Sequence, residues 1–288
     1  NKHQNFYFSE VIMHYSKLFY IILVLLFSHS SVSYSASKKA DLTSKIIKCE
    51  LCDLRYKKFI DVNLSNSNFR GSYLYGSKFT NTISNNATME SANLALVEFI
   101  RSQISNTNFE KAELSLTIFS KSEVNNSNFS FARLEDVSFI SSNISSSDFT
   151  SADLRGVYFS KASANQSIFN NAVLTESNLN YSDFNNSDFE FAILSGADLS
   201  NSNFKNSNFK GADLSNTNFM FSNLSNAKLI GTNLSGANLE GVDLSNSEFE
   251  FTIFDGANLK DAKIDLTSKN IRFCGAILPD GSVSPLCE

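Results

Sequence analysis

The side chains able to carry out chemistry are few and badly placed for it. The three histidines, His3, His14 and His29, all precede residue 30, so the remaining chain lacks the commonest general base and metal ligand. The four cysteines form two distant pairs, Cys49 with Cys52 and Cys274 with Cys287. No Ser-His-Asp or Cys-His arrangement can be assembled downstream of His29. Carboxylates are scattered; Glu113, Arg133 and Asp153 follow one another at twenty-residue steps, a surface ion-pair ladder worth little energy. The net charge of −5 lacks the basic stripe that a nucleic-acid surface needs. Neither an enzyme, a metal or cofactor site, nor a nucleic-acid partner is expected.

The elements that must position these residues follow a period of five. From Leu54 to Ile264, 43 successive fifth positions hold phase without a slip, and all are apolar except Ser84. Two residues before each centre the side chain is small, Lys57 excepted. Neither the 3.6-residue helical period nor the two-residue strand period divides five. Every twentieth residue from Leu54 is leucine through Leu234, and every twentieth from Phe59 is phenylalanine through Phe159. Like residues therefore share a column, as coils of twenty residues would place them. All nine glycines between Gly71 and Gly256 stand two places after a centre, where a tight turn needs positive φ.

The pentads Gly196-Ala197-Asp198-Leu199-Ser200 and Gly236-Ala237-Asn238-Leu239-Glu240 resemble the unit of the pentapeptide-repeat family, in its exported bacterial form. The resemblance spans residues 52–266. It implies an all-β fold, a right-handed quadrilateral parallel β-helix of about eleven coils, four pentads each. Cys49-x-x-Cys52-Asp53-Leu54 and the segment from Phe273-Cys274 through Pro279-Asp280-Gly281 to Cys287 are similar to the two ends of such proteins.

Four segments are expected: a leader at 1–37, an N-terminal cap at 38–53, the repeat at 54–266 and a C-terminal capping tail at 267–288. Lys17, the apolar run Leu18–Phe27 and the small polar stretch Ser28–Ser37 have the order of a secretory signal peptide. Met13, just before that run, is the expected start of translation. Cleavage near residues 35–38 would release the chain to the periplasm or the exterior, without a stable membrane span; the alternative is an uncleaved leader that acts as an anchor. Asp41–Lys48 reads as a short capping helix with Asp41 as N-cap. About 50 Å of solenoid keeps the cysteine pairs apart, which excludes one four-cysteine zinc site. In an exported chain two local disulfides, Cys49–Cys52 and Cys274–Cys287, are expected.

Two sets of outward residues are candidates for binding. Asparagine recurs in one corner column at Asn66, Asn86, Asn106, Asn126, Asn186, Asn206, Asn226 and Asn246. It is either a stack of turns whose amides bond to each other along the axis, as in other stacked strands, or an array for a repetitive ligand or ice. Phe131, Phe191 and Phe251 share a second corner column, with Phe221 on another. Their rings either fold over the neighbouring wall or stand out as anchors for a partner. The functional expectation is a non-enzymatic exported scaffold with a protein partner. The alternative is a cytoplasmic DNA mimic that binds a topoisomerase, as a branch of the family does. Residues 160–264 carry twelve acids against six bases, but several of those acids occupy the repeat's usual Asp/Asn position.

Overall fold

The computed structural model describes residues 46–266 and 270–287, all within one compact unit spanning 38–288. Each pentad makes a short extended segment and a corner. Every fifth residue from Leu51 to Asp261 has φ between 51° and 73°, whatever its type. The centre two places earlier is buried, and in most pentads its carbonyl accepts the N–H three residues on, as Leu64 does from Ser67 at 3.1 Å. Positive φ at the third turn residue alone is the type II pattern. Four corners close a coil of twenty residues.

Successive coils pair in parallel and in register. On one wall the extended segments are long enough to be strands: β1 (Lys58–Ile60), β2 (Lys78–Thr80), β3 (Glu98–Ile100) and β4 (Ile118–Ser120). They form one sheet in chain order, with Phe59, Phe79, Phe99 and Phe119 opposite one another. Elsewhere single bridges at the same twenty-residue offset run from Lys48↔Asn68 to Asp243↔Lys263. This is the quadrilateral parallel β-helix that the periodicity implies.

The core is a bundle of columns. Phe59 through Phe159 stack with centroids 4.6–5.2 Å apart, and Phe109 through Phe209 on the opposite wall at 4.7–4.9 Å. The two stacks meet edge to face, as at Phe109–Phe119, 6.0 Å. Volume is shared between walls: where the first stack yields to Leu179 and Leu199, Phe184 and Phe204 enter the third column, which carries Ala164 and Val124 while both stacks are aromatic. Burying this surface supplies the driving force for folding, at about 25 cal/mol per Å² of apolar area.

The buried serines two places before a centre have a specific task. Ser102 Oγ donates to Phe79 C=O and accepts the N–H of Thr82, both in the coil before. Ser122 does the same for Phe99 and Ser102, and Ser202 for Leu179 and Ser182. A hydroxyl from one coil thus bridges a turn of its predecessor, in some cases beside the direct bond, as at Phe159, whose C=O accepts both Ala162 N–H at 2.8 Å and Ser182 Oγ. Where the next coil offers alanine instead, the turn closes directly, as Ala112 N–H to Phe109 C=O at 3.0 Å. Size alone selects a small residue here; the hydroxyl selects serine.

Both ends differ from the sequence expectation. The described end of the expected helix, Ile46–Lys48, is not helical: Ile47 is buried and Lys48 bridges Asn68, so these residues already lie in the first coil. Residues 41–45, including the expected N-cap Asp41, lie outside the described residues, as does the leader. The repeat also runs past Ile264. Ile253 pairs with Arg272 and Asn258 with Ile277, offsets of nineteen, so the C-terminal tail is one more coil shortened by a residue. Phe273 stacks on Phe254 at 5.3 Å, and Ala276 is buried. The chain then turns at Pro279–Gly281 and returns antiparallel, Val283 against Ile277. Its return strand accepts from Leu278 and Gly275 N–H and donates from Ser284 to Ala276, satisfying an edge that would otherwise be open.

Candidate functional site

The two disulfides are formed as the sequence implies, each inside the solenoid's own geometry. Cys49 stands below Phe69 as a core centre and Cys52 three residues on, so the first bridge spans a corner, Cα to Cα 5.3 Å. Ser72 Oγ bonds to Cys49 C=O and receives Cys52 N–H, the same serine bridge as elsewhere. Cys274 and Cys287, 5.1 Å apart, tie the return strand to the last coil. Among the described residues no cysteine is free and no cluster of His, Cys, Asp or Glu could hold a metal.

The charged side chains of the walls pair with one another. Arg155 pairs with Asp153 at 2.6 Å and with Glu135, while Arg133 lies 3.4 Å from Glu113 and 3.8 Å from Glu135. The expected ladder is therefore a network that includes Glu135 and Arg155. The hydrogen bond from Arg155 holds the Asp153 carboxyl below its usual range, as Arg55 does for Asp53. Hydrogen bonds from Ser245 and Ser282 lower Asp243 and Asp280. Carboxyls shifted this way are poor general acids or bases at neutral pH. Tyr75 shifts upward through burial, packed edge-on against Tyr56 at 5.6 Å.

The four corner phenylalanines are exposed, Phe131 56%, Phe191 54%, Phe221 60% and Phe251 59%. Two of them also cover backbone. A Cβ at Gly211 would stand 2.5 Å from Phe191 Cε1, and one at Gly241 would stand 2.6 Å from Phe221 Cδ1. These rings lie over the corner of the next coil, where only glycine leaves room. Tyr56 repeats the pairing over Gly76. Phe131 has no such glycine above it; Lys111 Nζ lies 6.0 Å from its centroid. An aromatic followed by glycine twenty residues later is the sequence signal for a ring laid on the wall.

The asparagine corner column behaves differently from the expected amide stack. Of its eight members, Asn186 and Asn206 are joined by an amide bond, 3.0 Å. The axial amide ladders lie instead one place before the centres. Asn203 donates to Asp183, Asn208 to Asp188, Asn218 to Asp198 and Asn233 to Asp213, at 2.8–3.1 Å. Asn238 and Asn258 extend one ladder. The same oxygens accept the backbone N–H two residues on, as Asp198 does from Ser200. These positions tie coil to coil and brace each turn, which composition alone could not reveal.

Solved structures similar to this chain include HetL, a protein involved in heterocyst differentiation regulation from the cyanobacterium Nostoc sp. strain PCC 7120. It is 19% identical, over 82% of this chain and 92% of that one, with a TM-score of 0.32. QnrB1, a plasmid-mediated fluoroquinolone resistance protein, is 16% identical over 78% and 90%, TM-score 0.37. Rfr23 from the cyanobacterium Cyanothece 51142 is 29% identical over 38% and 63%, TM-score 0.28. No functionally curated protein matches. The family model for pentapeptide repeats matches residues 48–83 and 222–261, and that for the pentapeptide repeat region matches 92–168 and 162–239. With its register, its corners and most of its length accounted for by these matches, this chain belongs to the pentapeptide-repeat family.

Proposed function

We propose that this protein acts outside the cytoplasm as a non-enzymatic scaffold that presents flat walls to a binding partner. The observation that carries the reading is the pair of disulfides, one closing each end of an uninterrupted repeat. Thiols persist in a reducing cytoplasm, so structural bridges favour an oxidising compartment. The unbroken twenty-residue register from Lys48 to Lys263 supplies no long loop from which a concave site could be built. Among the described residues no helix is long and apolar enough to cross a membrane. The topoisomerase alternative is disfavoured because Asp183, Asp188, Asp198 and Asp213 have a structural task in the amide ladders that tie coil to coil. Fractionation with N-terminal sequencing tests the reading. The expected product begins between Ala36 and Lys39, lies outside the cytoplasm and yields Cys49–Cys52 and Cys274–Cys287 peptides without reduction. A cytosolic chain with an intact leader and free thiols would refute it.

A further inference from the structure

All four corners of the coil adopt the same positive φ, yet one column holds asparagine at eight of its ten places from 66 to 246, while the other three together hold Asn81, Asn171, Asn201 and Asn216 between 51 and 261. Lys111, Leu116, Lys121 and Tyr181, on the other three corners, have φ of 53–62°, indistinguishable from the 55–60° of Asn66, Asn86, Asn106 and Asn126. Backbone conformation favours asparagine at every corner alike and therefore does not account for its concentration in one column. Mutual bonding does not account for it either, since among the described residues these four side chains make no hydrogen bond and all four are exposed. The columns on either side, at 65, 85, 105, 125 and at 68, 88, 108, 128, hold only asparagine, serine and threonine. Four consecutive coils thus share a ridge without a charge, an aromatic ring or an aliphatic side chain.

The ridge also has its own period. Ser65, Asn85, Ser105, Asn125, Ser145 and Asn165 alternate strictly, so its pattern repeats every two coils, about 10 Å, while the core repeats every coil. At its centre the alternation is held by its own members, Ser105 giving its N–H to Asn85 Oδ1 at 2.9 Å and its hydroxyl to Asn125, while Ser65 and Ser145 give their N–H to Asn63 and Asn143.

The geometry points to this ridge as a binding site for a neutral, β-linked polysaccharide strand lying along the solenoid axis. A carboxamide both donates and accepts, which matches a sugar hydroxyl and not a one-sign charge. A protein partner would call for aromatic or arginine anchors, and the ridge has none. A nucleic acid would need bases there. In a β-linked chain whose rings alternate in orientation, one face recurs at every second ring, which suits a ridge that recurs at every second coil. The assignment deepens the scaffold reading by naming a partner class, and it does not depend on the fate of the leader.

The test is sedimentation of the full chain with suspended microcrystalline cellulose and with chitin, beside a variant carrying Asn66→Gly, Asn86→Gly, Asn106→Gly and Asn126→Gly. Glycine keeps the positive φ, so the variant retains its fold; lysine at the same four positions, a residue other corners already accommodate, serves as a second variant. The expected result is co-sedimentation of the parent with at least one polymer, weakened roughly tenfold or more in both variants, as the loss of a few net hydrogen bonds predicts. Sensitivity to salt should be slight. The assignment is overturned if the parent stays in solution with both polymers, or if the variants sediment equally well. Restraint of ice growth without polymer binding would also overturn it and assign the ridge to ice. None of these failures touches the scaffold reading, which stands or falls on location and thiol state.

Discussion

Ser84 is the residue at which the core pattern is broken. It occupies a centre between Leu64 and Ile104, is fully buried, and its hydroxyl is the buried side-chain oxygen without a partner among the described residues. The coil Leu74-Phe79-Ser84-Met89 should accept a larger residue there, because Leu114-Phe119-Val124-Phe129 holds valine beside a bulkier fourth member. Ser84→Val removes an unsatisfied hydroxyl and fills space, for a gain of about 1–3 kcal/mol. The melting temperature should rise by several degrees. A fall would mean that the site is already filled. The sequence marks Ser84 as an exception, but it does not say whether the hydroxyl finds a partner. The ladders before the centres were illegible for the same reason: sequence lists donors and acceptors, and only register decides which of them meet.

At the scale of the coil, the twenty-residue register makes a sharp distinction between deletions. Removing Leu134–Asp153 excises one coil and leaves each column continuous, Leu114 beneath Leu154 and Phe119 beneath Phe159. Removing only Leu134–Ser138 turns all later columns by one wall and sets the phenylalanine stack against the leucine stack. The first deletion should shift the melting temperature by a few degrees, in keeping with nearest-neighbour energetics. The second should lower it far more or abolish cooperative unfolding, and equal melting of the two variants would contradict a core organised by column. The register was legible because phase held for so long. The final coil was missed because one residue is dropped after Ile264, although Phe273, Gly275, Ala276 and Leu278 each repeat a residue type of the preceding coil, or its size, at an offset of nineteen.

For the molecule as a whole, the two covalent clasps and the charged walls make separate predictions. Reduction should fray the last coil, tied by Cys274–Cys287, before the middle: hydrogen exchange near Ile277 should accelerate while that near Phe139 holds. Uniform acceleration would mean that the clasps govern global stability. Asp53, Asp153 and Asp243 titrate below their usual range in the folded state, so their stabilisation is present above about pH 4 and is lost as pH falls through the lowered values. All three are partly exposed, so the effect is modest. Melting temperature should be flat from pH 8 to about 5 and decline below about 4; a decline already at pH 6 would require other groups.

The serine bridges give this stack a direction. Each bridging hydroxyl belongs to the later coil and completes a turn in the earlier one, as Ser122 does for the turn from Phe99 to Ser102. A coil lost from the C-terminal end therefore opens those turns of its predecessor that have no direct bond, such as Phe99–Ser102, whereas a coil lost from the N-terminal end leaves intact every turn of the coil that follows. Disassembly should run more readily from the C-terminal end, like a zip with its slider there. During synthesis a nascent coil stays incomplete until the next twenty residues arrive, so the growing end is always the unfinished one. The return strand behind Cys274 is the part that stops the slider.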